Sequence, residues 1–171
     1  AVNAFTVNAW THVACTFDST TGLISIYVNG KLESSTTVAA GIGITGQNLV
    51  FGNQNDGTMI NPFHGSLDEI VIFDSALSSD EIKTLIYKSQ SRLSTGLLAF
   101  YPFKEAQLME HSSSYNYMND INKLTKHGSP VEVSGKLGTA IEFDNDPLPA
   151  VGSQEYADIT DAGGYFGGHY A

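Results

Sequence analysis

Apolar and polar residues alternate with a period of two along most of this chain. In "WTHVACTFD" (Trp10–Asp18) Val13, Cys15 and Phe17 share one side, and "GLISIYVNGKL" (Gly22–Leu32) repeats the pattern up to the dipeptide Asn29-Gly30. Neighbouring side chains of a strand point to opposite faces, so this spacing predicts two half-buried strands. Asn-Gly accepts positive φ at both central positions of a tight turn and predicts a chain reversal there. "NLVFGN" (Asn48–Asn53) reads as a third strand, followed by the polar loop "QNDGTMINPFHG". "SLDEIVIFD" (Ser66–Asp74) reads as one further strand, apolar on both faces as if covered on two sides.

The period changes once. In "SSDEIKTLIYK" (Ser78–Lys88) Ile82, Leu85 and Ile86 form a helical stripe. Ser78 is placed to cap that helix, with Glu81 completing a capping box and Asp80 in the first turn favoured by the helix dipole. "SQSRLSTG" (Ser89–Gly96) is a polar connector, and "LLAFYPF" (Leu97–Phe103) beyond it is a strong strand. "INKLTKHG" (Ile121–Gly128) holds room for a short strand, and "TAIEFD" (Thr139–Asp144) and "YADIT" (Tyr156–Thr160) read as two more. The chain closes on the glycine–aromatic stretch "DAGGYFGGHYA". Regularly spaced short strands with one short surface helix predict an all-β antiparallel β-sandwich.

Composition narrows the class of protein. A chain of 171 residues, 42% hydrophobic and 11% aromatic, is long enough and apolar enough to bury a core. Asp and Glu total 18 against 8 Lys and Arg, a net charge of −10. Such a surface repels nucleic acid and anionic lipid, and it suits divalent cations or simple solubility. No apolar run reaches the length of a membrane span, so no membrane insertion is expected. No initiating Met or signal peptide opens the chain, which reads as a mature form or an excised piece. The lone Cys15 cannot form an internal disulfide, and its place on the apolar side of a strand predicts a buried, unreactive thiol.

The motifs resemble a known family. "WTHVACTFDSTTGLISIYVNGKL", then "LVFGN", then "FHGSLDEIVIFDSALSSDEIKTLIYK" is similar, in order and spacing, to the C-terminal half of a concanavalin-A-like jelly roll of the laminin-G-like and pentraxin group. "GLLAFYPFKE" and "GSPVEVSGKLGTAIEFDNDPLPAVGSQEYADI" resemble the N-terminal half of the same domain, with "EHSSSYN" where the family carries D-x-S-G-N. The halves therefore stand in reversed order, as a segment over 1–90 and another over 96–171. The resemblance implies that the family's first and last strands lie side by side, a geometry in which circular permutation is tolerated. A permuted sandwich closed within one chain and a segment spanning the junction of two repeats both fit this order.

The resemblance also implies where ligands sit. Family members often hold calcium at the sandwich rim, which needs six to eight oxygens from adjoining loops. Asp144, Asn145 and Asp146 in "FDNDP" match the family's F-D-G-x-x-D, and Asp68 of "GSLDEI" is brought near that loop by the resemblance. Gln54, Asn55 and Asp56 of "GNQND" resemble the pentraxin loop that binds calcium and, through it, ligand.

Catalysis finds no candidate residues. Glycoside hydrolases on this sandwich need carboxylates about 5–10 Å apart. Asp68 and Glu69 point to opposite faces, and Asp74 lies six positions from Asp68, about 20 Å along an extended strand. The histidines His12, His64, His111, His127 and His169 show no metal-ligand spacing. Phe63, Tyr115, Tyr117, Tyr165 and Phe166 are candidates for stacking on sugars or packing in an interface. The expectation is a non-catalytic, extracellular or cell-surface adhesion or ligand-binding module of a larger protein, with a glycan or an extracellular protein as partner and calcium as a structural ion. The alternative is a structural repeat that self-assembles by strand sharing into a filament, sheath or surface layer.

Overall fold

A computed structural model of the chain describes residues 5–39, 48–53, 61–87, 95–103, 113–114, 124–145 and 154–159. Its elements are antiparallel strands and one helix, the all-β sandwich class that the alternation predicts. Packing divides the described residues into two units. The first holds 5–39, 73–87 and 95–98, and the second holds the rest. The described residues 48–53 and 61–72 group with those that follow Leu98.

In the first unit, β1 (Val13–Asp18), β2 (Leu23–Val28) and β3 (Lys31–Thr37) form a meander in the order β1-β2-β3. Asn29 and Gly30 turn the chain with φ of 49° and 76°, the paired positive values that the dipeptide predicts. The side chain of Asn29 accepts the His12 N–H at 3.0 Å, and its own N–H donates to the His12 carbonyl at 2.8 Å. Helix α1 (Ser79–Tyr87) forms where the stripe places it. Its capping box is complete, with the Ser78 N–H donating to Glu81 Oε2 at 2.8 Å and the Glu81 N–H to Ser78 Oγ at 3.3 Å. Ile82 is buried, and α1 lies directly on the Asn29-Gly30 turn. A Cβ on Gly30 would sit 3.0 Å from Lys83 Cγ and 3.1 Å from Ile86 Cδ1.

One expectation fails in this unit: Cys15 is exposed. It pairs across the ladder with Ile26, 43% exposed, and Val13 on the same face is 52% exposed. Alternation assigns side chains to a face; it does not say that a second layer covers that face.

His12 carries a pH dependence. Its Nδ1 is buried without a hydrogen bond, and burial lowers its pKa below the ordinary 6.5. The unfolded chain then binds a proton that the folded chain resists. The stability that neutral His12 contributes is full above pH 6.5 and is lost as pH falls below it toward the folded value. Urea unfolding at about pH 7.5 and about pH 5.5 should therefore show a larger acid loss for the wild type than for His12→Gln. Equal losses would remove His12 as the source.

In the second unit, β4 (Leu49–Phe51), β5 (Gly65–Leu67), β8 (Ser113–Ser114), β9 (Leu124–His127), β10 (Val131–Ser134), β11 (Thr139–Phe143) and β12 (Tyr156–Ile159) form two sheets, ordered β10-β11-β5 and β4-β12-β9-β8. Strands from both halves of the sequence pair here: Leu67 opposite Ile141, and Phe51 opposite Ala157. Tyr101, Leu124, Ile141, Phe143 and Ile159 form its buried centre. The Phe51 and Tyr101 rings meet at 6.3 Å, and burial pushes the Tyr101 phenol pKa upward.

The stretch read as one strand over Ser66–Asp74 is two. Glu69 adopts φ 53°, left-handed for a residue with a side chain, and ends β5. β6 (Ile70–Phe73) then pairs with β7 (Leu97–Tyr101) instead of β11, so the chain changes sheets at Asp68–Glu69. The β6–β7 pair sets the family's last-strand motif beside its first-strand motif, as the resemblance implies. β3, β8 and β10 carry too few apolar residues for their sequence to announce them as strands.

Candidate functional site at the rim of β5 and β11

The end of β11 is fastened by one amide. Asn145 is 4% exposed; its Nδ2 donates to the Phe63 carbonyl at 2.7 Å and the Glu155 carbonyl at 3.0 Å, while its Oδ1 accepts the Glu155 N–H at 2.8 Å. One side chain thus joins the approaches to β5 and β12 with the exit of β11. A buried amide surrounded by two acceptors and one donor has both of its ends committed, and Asn matches that set where Asp does not.

Outside this clasp the polar groups face water. The Asp144 N–H donates to Glu155 Oε2 at 2.7 Å, and Asp144 Oδ1 lies 3.4 Å from His64 Nδ1 with both side chains exposed. Beside them Phe63 is an exposed aromatic. The sequence does not announce His64 or Glu155 here: the antiparallel register of β5 on β11 brings His64 beside Asp144, and the Asn145 bonds to the Glu155 backbone bring Glu155.

Asp68 lies elsewhere. Its Oδ2 accepts the Leu137 N–H at 3.0 Å and rests against Gly135, in the turn that precedes β11 and is closed by a Gly135 N–H to Gly138 carbonyl bond of 2.7 Å. Gly65 pairs with Phe143 and Leu67 with Ile141, so Asp68 stands at the start of β11 and Asp144 past its end. Four ladder positions separate them, about 13 Å. Oxygens on one calcium lie about 2.3–2.6 Å from the ion, so Asp68 and Asp144 cannot share one. The expected set of Asp68, Asp144 and Asn145 does not converge, and Asn145 is occupied by the backbone. Asp146, and with it Gln54, Asn55 and Asp56, falls outside the described residues, as do Tyr115, Tyr117, Tyr165 and Phe166. Among the described residues no three His, Cys, Asp or Glu side chains gather as a metal would require.

A second polar cluster spans β4, β12 and β9. His127 stacks on Tyr156 at 4.3 Å, its Nε2 lies 3.2 Å from Asp158 Oδ1, and Asp158 Oδ2 accepts Asn48 Nδ2 at 2.9 Å. These contacts join the approach to β4 with β12 and β9.

The comparisons agree with the strand motifs. The concanavalin A-like lectin/glucanases superfamily, in its laminin-G-like form, matches residues 1–83. Over that span this chain is a laminin-G-like member of the concanavalin A-like superfamily. The likeness continues past α1 in longer matches. The Mus musculus "Sushi, von Willebrand factor type A, EGF and pentraxin domain-containing protein 1" is 33% identical over 151 residues, covering 81% of this chain and 4% of that protein. The Homo sapiens "Adhesion G-protein coupled receptor D1" is 29% identical over 147 residues, 82% of this chain and 16% of that protein. The Homo sapiens "Pentraxin-related protein PTX3" is 35% identical over 83 residues, 43% of this chain and 22% of that protein. The chain thus spans between 3% and 22% of the length of the curated relatives it matches. No solved structure matches it.

Proposed function

We propose that this laminin-G-like chain is a non-catalytic adhesion or ligand-binding module of a larger extracellular or cell-surface protein, taking a glycan or another protein as ligand. The observation that carries the reading is the superfamily match over residues 1–83, joined by relatives named for pentraxin domains and for adhesion. The polar side chains of the second unit support it, because Asn145, Asp68 and Asp158 are each engaged in holding strands together. No helix among the described residues is long and apolar enough to cross a membrane.

The test is binding of the purified chain to immobilised glycans and extracellular-matrix proteins, with and without calcium. Saturable binding without change in the ligand is expected. Release of reducing sugar from a bound β-glucan would replace the module with an enzyme. Calcium belongs, on this reading, to the loop at Asp144 and excludes Asp68. Any rise in melting temperature on adding calcium should survive Asp68→Asn, and its loss in that variant would return Asp68 to the site.

A second reading is self-assembly into a filament, sheath or surface layer. It is favoured by the open apolar face of β1 and β2 at Val13, Cys15 and Ile26. Among the described residues β1 and β3, the outer strands of their meander, are edges open to strand sharing, as are the outer strands of the other sheets. Light scattering on a sizing column separates the readings, since a monomer at all concentrations would remove assembly.

A further inference from the structure

The chain holds one Asn-Gly pair, and the fold spends it on the β2–β3 turn beneath α1. Glycine after asparagine leaves a main-chain nitrogen unshielded by a Cβ, free to attack the amide carbon of the residue before it. We propose that Asn29 is a gated deamidation site, closed while α1 covers the turn and modified irreversibly once α1 lifts. In the reaction the Gly30 nitrogen bonds to Asn29 Cγ, the Cγ–Nδ2 bond breaks, and ammonia leaves carrying the Gly30 proton. Water then opens the cyclic imide at either carbonyl. Opening at Cγ gives an aspartyl residue; opening at the main-chain carbonyl gives an isoaspartyl residue, whose backbone is longer by a methylene. Water is the sole co-reactant.

The folded turn is closed to this step. Asn29 is left-handed at φ 49°. In that region ψ is about +47°, which turns the next nitrogen away from the residue's own Cβ. Ring closure needs the Asn29–Gly30 peptide plane to swing round toward Cγ. Asn29 Oδ1 accepts the His12 N–H at 3.0 Å and the Asn29 N–H donates to the His12 carbonyl at 2.8 Å, so side chain and backbone are both held. Gly30 is buried, and a Cβ on it would stand 3.0 Å from Lys83 Cγ and 3.1 Å from Ile86 Cδ1. The helix stands in the way of the swing.

That helix is also the element suited to open. Its nine residues bury one side chain, Ile82. A helix this short is held by packing more than by its own propensity, so its release costs less than unfolding the sheet. Modification then makes the opening permanent. An isoaspartyl linkage lengthens a two-residue turn whose register sets Val28 opposite Lys31, and β3 can no longer pair in place. The surface on which α1 rests is lost with it.

The test incubates the chain in mildly alkaline buffer beside a synthetic peptide of residues 23–37, and follows both products at position 29 by peptide mapping. The peptide should react about a hundredfold faster than the folded chain. Ser78→Ala removes the α1 cap and should speed the folded chain about fivefold, and Ile86→Ala, which uncovers Gly30, should act in the same direction. Asn145→Ala, in the second unit, should leave the rate unchanged. The isoaspartyl form, separated by its added negative charge, should lose the amide shifts of α1 in the folded chain. A folded chain as reactive as the peptide has no gate, and rates unchanged in the α1 variants would remove α1 from it. Equal acceleration by Asn145→Ala would make the opening global. Each of these results overturns the proposal, as would an isoaspartyl form that keeps the wild-type shifts of α1.

Discussion

Replacing Asn145 with alanine should destabilise the chain by about 2–4 kcal/mol, because two carbonyls and one N–H would lose their partner in a site closed to water. At about 2–4 °C per kcal/mol for a chain of this size, the melting temperature should fall by roughly 5–15 °C. Asn145→Asp is the sharper test, because its shape is nearly unchanged. It turns an oxygen toward the carbonyls of Phe63 and Glu155, where a donor stood. It should cost more than alanine at neutral pH and recover partly in acid, where the carboxyl regains a proton to donate. If aspartate were milder than alanine, the clasp would not depend on the amide donor, and the account of this rim would fail.

Gly135→Ala should be the next most damaging change, through crowding. A Cβ there would stand 2.6 Å from Asp68 Oδ2, 2.8 Å from the Thr139 carbonyl carbon and 2.9 Å from the Ala140 nitrogen. Two of the three atoms belong to the backbone that begins β11, and they cannot retreat without disturbing its pairing with β10 and β5. A loss of about 1–3 kcal/mol is expected in urea unfolding. Combining it with Asp68→Ala should recover only part of that loss, since the backbone contacts remain. A coupling of about 0.5–1 kcal/mol between the two positions would measure the Asp68 contact. Stability within about 0.5 kcal/mol of the wild type for Gly135→Ala alone would mean that this turn yields easily.

The two positions differ in how far sequence reading reaches them. Asn145 stands in a motif and was expected to offer an oxygen to calcium; the fold uses both ends of its amide on the backbone instead. Asp68 was expected beside it. The left-handed Glu69 and the register of β5 on β11 put it at the other end of the strand. His64 and Glu155, which do neighbour Asp144, belong to separate stretches that no spacing rule connects. Lys31 and Lys83, far apart in sequence, line one groove because Gly30 lets α1 approach the β2–β3 turn.

What the sequence determined by itself was local. Alternation set the apolar strands, Asn29-Gly30 set the hairpin, and the capping box at Ser78 and Glu81 with its apolar stripe set the helix. These follow from φ preferences, side-chain direction and hydrogen bonds reaching only a few residues along the chain. The family motifs likewise named the superfamily from ordered short patterns. The tertiary structure decided what depends on distant partners: the switch of sheets at Glu69, the pairing of early with late strands, the exposure of Cys15, and which carboxylates meet. Burial and register are properties of a surface and its neighbour, and a strand's own residues specify only one side of that contact.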